Sequence, residues 1–396
     1  MKKLIILFFT ASLLWNCAAT APVQTAPLSP RDAFLADSLN IPQEKLAELK
    51  ARPLYTFAPA EIDLYLRWLF HAEPDLRKRV EHLGRKNLGQ PYQIYLLGEF
   101  PFEYYDDEPL VSLSKSDCVV FSEHTYAMAL AHDWKSFVTW LQRIRYKDGE
   151  IGLQTRNHYT EYDWDRNNSW LVTDITANLA GENVRYDTSA YDKNRFFSRW
   201  GLMTNHAPDT LIWDYIPYEY VPQILDSLQT GDFVNIVRGY PNGVWVGHVG
   251  LIIRTPGGKV NFLHSTTPNV IEQDILSYPF PNPKEFNAER EAWNQSIIEK
   301  NKSIAAHNEK LKTGGLRKLW SKPKRPLAPK PIFYGFRFLR LNEDPIQDLR
   351  EIYGEEALQL RIPIPLHPSQ MFLKMGNTPG IVPDSLESDS LQTDIE

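Results

Sequence analysis

In Ser116-Asp117-Cys118-Val119-Val120-Phe121 a loop gives way to an apolar helix at Cys118, which places a thiol at a helix N-terminus. Unpaired N–H groups and the helix dipole at such a point favour the thiolate, the nucleophilic form of cysteine. Asp117 or Ser116 can cap the helix, and the same amides can hold a developing oxyanion. A thiol attacks a carbonyl well only beside a base, so a histidine has to arrive from elsewhere in the chain.

Ten histidines are available. His124 lies nearly two turns down the Cys118 helix and is a poor partner. His71, His82, His132, His206, His307 and His367 have no distinguishing surroundings. His248 does, because Gly247-His248-Val249-Gly250-Leu251-Ile252-Ile253 reads as a strand that opens with a histidine between two glycines. Glycine lets a neighbouring backbone or substrate come close. His264, in Phe262-Leu263-His264-Ser265, falls on the partner strand across a turn. From there it can hydrogen-bond the far nitrogen of the first imidazole and fix its tautomer. Cys17 and Cys118 are the two cysteines of the chain. A buried, inert Cys118 is the alternative by residue type alone; the helix start and the two facing-strand histidines favour a nucleophile.

The elements that must position these residues follow from pattern. Pro30 to Lys86 reads as helical, with Ile62, Leu64, Leu66, Leu69 and Phe70 on one face of a helix opened by Pro59 and a second helix over Leu76–Leu83. Further helices are predicted from Cys118 to about His132 and from Phe137 to Arg145. Tyr146 to Gln229 reads as loop-rich, with short segments such as Leu171 to Ile175. Strands are predicted at Asp232–Val237, Val244–Arg254, Lys259–His264 and Ile332–Leu341, with a hairpin turn at Gly257-Gly258. Helices followed by an antiparallel sheet indicate an α+β fold.

The arrangement resembles the NlpC-type branch of the papain-like cysteine peptidases, and within it the N-acetylmuramoyl-L-alanine amidase-like family. The likeness runs from about Ala58 to Leu341 through Leu88-Gly89-Gln90-Pro91-Tyr92, Asp117-Cys118-Val119-Val120-Phe121-Ser122-Glu123 and Arg156-Asn157-His158-Tyr159 with Trp164. It continues through Asp174-Ile175-Thr176, Tyr215-Ile216-Pro217, Gly231-Asp232, His248-Val249-Gly250 and Leu263-His264-Ser265. Val120 and Ser122 stand where the family pattern has Thr and Val. The resemblance implies a helical N-terminal part with the nucleophile at a helix start, packed on an antiparallel sheet. It implies Cys118 as nucleophile, His248 as base, His264 as the orienting residue and Tyr92 as an aid to the oxyanion site. Arg156, His158, Tyr159, Trp164 and Asp117 become candidates for the substrate groove. Arg156 would pair with a substrate carboxylate or, equally well, form a salt bridge within the fold; His158, Tyr159 and Trp164 would line the groove or the core. The implied reaction is hydrolysis of the N-acetylmuramoyl-L-alanine bond of peptidoglycan or muropeptides through a thioester, with no cofactor. An endopeptidase cutting within the stem peptide and a non-catalytic wall-binding lipoprotein are the other readings.

No His-Glu-x-x-His run supports a metallo-amidase and no Gly-x-Ser-x-Gly turn supports a serine hydrolase. The net charge of −6 includes Asp384, Glu387, Asp389, Asp394 and Glu396 of the tail, so the folded part gives no support to nucleic-acid binding. Lys2, Lys3 and the apolar Leu4–Trp15 form an export signal, and Leu13-Leu14-Trp15-Asn16-Cys17 resembles a lipobox with Cys17 acylated. Cleavage near Ala19 or Ala21 is the competing outcome.

The expected organisation is therefore a signal over 1–17, a tether over 18–29, a papain-like amidase domain over 30–366 and a disordered acidic tail over 367–396. The domain carries a helical, basic insertion over 285–330, with Trp293, Ile297, Ile304 and Leu311 on one face and Arg317, Lys318, Lys322, Lys324, Arg325 and Lys330 beyond. It reads as a solvated excursion or as a contact for lipid headgroups or wall polymers. A monomer is expected on the periplasmic side of a bacterial membrane, with the outer membrane favoured.

Overall fold

The computed structural model describes residues 25–103, 106, 108–313 and 322–359. The signal with Cys17, the acidic tail, Arg317 and Lys318 lie outside the described residues. Four helices open the fold: α1 (Pro30–Ser38), α2 (Gln43–Ala51), α3 (Pro59–Ala72) and α4 (Leu76–Lys86). The first turn of α3 carries Pro59, and the Glu61 carboxylate accepts the Ala58 N–H at 2.8 Å. Its Ile62, Tyr65, Leu66, Trp68 and Leu69 are buried on one stripe. Next come α5 (Cys118–Leu130) and α6 (Trp134–Arg145). Every residue of α5 except Val119 is buried, so it is a core helix covered on all sides.

A π-helical turn (Thr160–Trp164) runs into α7 (Asp165–Asn167), followed by β1 (Val172–Asp174), α8 (Thr176–Ala180), β2 (Arg185–Tyr191), α9 (Lys193–Ser198) and β3 (Asp209–Pro217). The region expected to be loop-rich thus contains three strands. The residues of β2 are mostly exposed, so they carry no apolar alternation; what holds them is the seven-residue ladder to β3. Then follow β4 (Phe233–Tyr240), β5 (Gly243–Arg254), β6 (Val260–Ser265), β7 (Val270–Asp274), α10 (Pro283–Thr313), β8 (Ile332–Leu341) and α11 (Pro345–Tyr353). Gly258, at φ +82°, makes the turn between β5 and β6.

The sheet is antiparallel, in the order β2-β3-β8-β4-β5-β6-β7, with β1 also on β8. One core lies between the helices and the face bearing Phe233, Val249, Leu251, Leu263 and Leu339. A second lies on the opposite face around Ile236, Ile252, Phe262, Phe333, Phe336 and Tyr278. This mixed α+β architecture is the expected class. Where β3 reaches β8, a Cβ on Gly335 would stand 2.0 Å from the Ile216 carbonyl oxygen. Gly335→Ala is therefore expected to lower stability by about 1–3 kcal/mol through forced overpacking, read as a fall in the urea midpoint at unchanged slope.

α10 and the chain that returns along it form an arm. Asn287, Asn294, Asn301 and Asn308 each accept an N–H and donate to the C=O of one returning residue: Phe333, Lys330, Leu327 and Lys324 in turn. The rungs fall every seven residues on the helix and every three on the return. Seven α-helical residues rise about 10.5 Å and three extended residues span about 10 Å, so the two periods nearly match. Pro323, Pro326 and Pro329 each precede a rung and never occupy one, because the rung needs an N–H.

Candidate active site

The start of α5 is fixed from both sides. Asp117 is its N-cap, and the carboxylate accepts the Val120 N–H at 2.8 Å. Ser116, the residue before it, is tied to β6: its hydroxyl lies 3.0 Å from that of Ser265, which donates to the Ser116 carbonyl at 2.9 Å. Ser116 also bonds Gln90, and Gln90 donates to the Leu113 carbonyl. Tyr92 pairs with Ser116 and donates its N–H to the Pro268 carbonyl at 3.0 Å. The segment from Gln90 to Tyr92 is thereby held between the entry to α5 and the β6–β7 turn, and a charge on Cys118 would act on the Tyr92 hydroxyl.

Cys118 meets the sheet where one ladder stops. β5 and β6 pair from Leu251↔Leu263 to Arg254↔Val260. The Ile252 N–H bonds to Asp232 on the β4 side. By the alternation of an antiparallel ladder, the Val249 N–H points the other way, toward β6, beyond the last β5–β6 pair. It meets the Cys118 thiol there. The sulfur therefore sits at the backbone of the residue next to His248.

His248 shares the opposite face with its register partner Ile236. Its Nε2 lies 2.7 Å from Nδ1 of His264, both rings being buried. Gly250 makes the pair possible, since a Cβ there would come within 2.8 Å of the His264 Cβ and 2.6 Å of the Phe262 ring. The Tyr278 ring lies parallel to His248 at 6.1 Å, and its hydroxyl accepts a 2.6 Å bond from Arg238. Arg238 is buried, and its Nε has no hydrogen-bond partner among the described residues; the same is true of His264 Nε2.

The electrostatics differ from the expectation for a helix start. Burial pushes the Cys118 thiol up to about 12, with the neighbouring Asp117 charge adding to the effect; the Val249 and Val119 amides oppose it without prevailing. The resting group is a thiol, not a thiolate. Burial also holds His248 well below the ordinary histidine range, helped by His264 and Arg238. It holds His264 down at about 3, helped by Arg238. Burial thus favours the uncharged forms of Cys118, His248 and His264.

Of the remaining groove candidates, Trp164 is buried, and Arg156, His158, Tyr159 and Asp117 are half-buried. Trp164 is fully buried, stacks on Phe233 at 4.3 Å and donates to Glu123 at 3.1 Å, so it is a core residue and not a groove residue. Arg156 lies 3.3 Å from both Glu99 and Asp106 and bonds the Leu97 carbonyl, which is the salt-bridge alternative. His158 bonds the Leu153 carbonyl at 2.6 Å and packs on Phe196. Half-buried Tyr159 packs on Tyr191 and Phe196. Asp117 caps α5. Cys118, His248, His264 and Tyr92 are thus gathered at one place, while Trp164 and Arg156 are engaged within the fold. Sequence reasoning missed Arg238 and Tyr278. An arginine directly following the mostly apolar run Phe233–Val237 was the available signal for the first; nothing marks Tyr278.

A family model described as N-acetylmuramoyl-L-alanine amidase-like matches residues 82–281, which include all four gathered residues. Among solved structures, a Legionella pneumophila protein is similar at TM-score 0.51 and 19% identity, covering 72% of this chain and 96% of its own. That likeness shows a shared fold. An N-acetylmuramoyl-L-alanine amidase from Bacteroides uniformis has TM-score 0.44 and 19% identity, covering 67% of this chain and 99% of its own. No curated protein matches the chain.

Proposed function

The chain belongs to the N-acetylmuramoyl-L-alanine amidase-like family, and on that premise we propose a papain-like, NlpC-type cysteine amidase that cleaves the bond between muramic acid and L-alanine in peptidoglycan fragments. The observation that carries this reading is the Cys118 thiol at a helix start, held one residue from a histidine whose far nitrogen is bonded to a second histidine.

With its Nε2 proton directed at His264, His248 offers the lone pair of Nδ1 as the base. It takes the thiol proton as sulfur adds to the lactyl carbonyl carbon. A thiol held near 12 requires this transfer to accompany attack. Amides at the start of α5, with Tyr92 beside them, receive the oxyanion. His248 returns the proton to the nitrogen of L-alanine, the C–N bond breaks, and a thioester remains. Water, deprotonated by His248, releases the muramic acid as a carboxylate and restores the thiol. Export with acylation at Cys17 would hold this chemistry at the periplasmic side of the outer membrane, in a monomer.

Mass spectrometry of purified muropeptides tests the bond. Free stem peptides beginning at L-alanine are expected. Shortened peptides still joined to sugar would replace the amidase by an endopeptidase, and intact muropeptides would overturn catalysis.

The pH profile gives a second test. His248 must be neutral to accept a proton, and its pKa lies below 6.5, so the acid limb of activity is expected below that value. Arg238→Gln removes a positive charge that lowers both imidazoles. The acid limb should then move to higher pH. A purely structural arginine would lower stability and leave the limb in place.

A further inference from the structure

We infer that the arm built from α10 and its proline-rich return segment seats on an anionic phospholipid surface, giving the protein a membrane contact independent of any acyl chain. The inference does not use the catalytic reading. Lys300, Lys302, Lys312, Lys322, Lys324 and Arg325 are exposed on the outer part of the arm. The acids among the described residues there are Glu299 and Glu309, each paired with a lysine three residues on, at 2.6 Å and 3.0 Å. A cationic arm on a chain of net charge −6 is a local asymmetry suited to a negative surface.

The scaffold fits this use. An extended chain without internal hydrogen bonds would ordinarily need water or a sheet to satisfy its backbone. The asparagine rungs satisfy that of the return segment at every third residue. The prolines stiffen it, so the cations are carried along an α10 of 31 residues, about 46 Å long.

Cosedimentation of residues 18–396, which lack both the apolar signal and Cys17 so that neither contributes, decides the matter. Binding is expected to vesicles of phosphatidylcholine mixed with phosphatidylglycerol, not to phosphatidylcholine alone, and it should weaken with salt. The triple variant Lys322→Glu, Lys324→Glu, Arg325→Glu should bind at least about 100-fold more weakly, each cation contributing roughly fivefold. Its circular dichroism and its hydrolysis of soluble muropeptides should be unchanged. Equal binding by the triple variant, indifference to phosphatidylglycerol, or capture of soluble polyphosphate without vesicle binding would each overturn the inference.

Discussion

Cys118→Ala should lower kcat/KM on muropeptides by at least about 10⁴-fold while the protein stays folded. The size of the effect follows from the absence of a substitute. The hydroxyls nearest in the chain, those of Ser116 and Ser122, are buried and bonded to Gln90 and Ser265 and to the Cys118 carbonyl. Stability should change little, by about 1 kcal/mol, since one sulfur is lost from a helix whose cap and packing remain. Measuring turnover beside the thermal midpoint separates the two quantities. Cys118→Ser should be nearly as inactive, because an alcohol is a still weaker acid than a buried thiol. A Cys118→Ala protein that kept even a tenth of its activity would falsify the nucleophile.

The second large effect concerns the imidazole pair. His248→Ala should lower kcat/KM by about 10³-fold, within the range that general-base catalysis supplies. Alanine also strands Nδ1 of His264 in a buried site, at a cost of about 1–3 kcal/mol, so loss of activity there could be confused with loss of fold. His248→Gln separates them, because its amide can still meet His264 while offering no base. Its melting point should stay near wild type and its activity should not. His264→Gln should be milder, about 10–100-fold, as it removes the group that orients the base and leaves the base itself. If His248→Gln and His264→Gln lost activity equally, His264 would have to touch substrate directly.

The parts of the fold that could be read from sequence were those in which one stretch of chain carries its own pattern. β8 was predicted with its observed bounds, Ile332–Leu341, because it is a run of apolar and aromatic residues, most of them buried. α5 was legible as an apolar run behind a capping aspartate. β2 was not, since its order comes from β3 and its own side chains face solvent. The catalytic candidates divide in the same way. Cys118, His248 and His264 were legible from local context: a helix start, flanking glycines, a hairpin. Trp164 and Arg156 were left open between groove and interior, because an aromatic or a cation looks the same in a groove as in a core. Phe233, Glu99 and Asp106, which decide the matter, lie far away in the chain. The thiolate expected at the helix start failed for a similar reason: the dipole is local, whereas the burial that outweighs it is a property of the whole fold.

The asparagine ladder also restricts how the arm can change in length. One residue inserted into α10 between rungs would rotate every asparagine beyond it by about 100°, off the facing chain. One residue inserted between Pro331 and Phe333 would bring Pro331 to the place of Lys330, and proline has no N–H to give Asn294. Only a coupled change of seven residues on one side and three on the other preserves the pairing. The arm's reach is therefore quantised in steps of one rung, and related chains with arms of other lengths should differ from this one by whole multiples of ten residues.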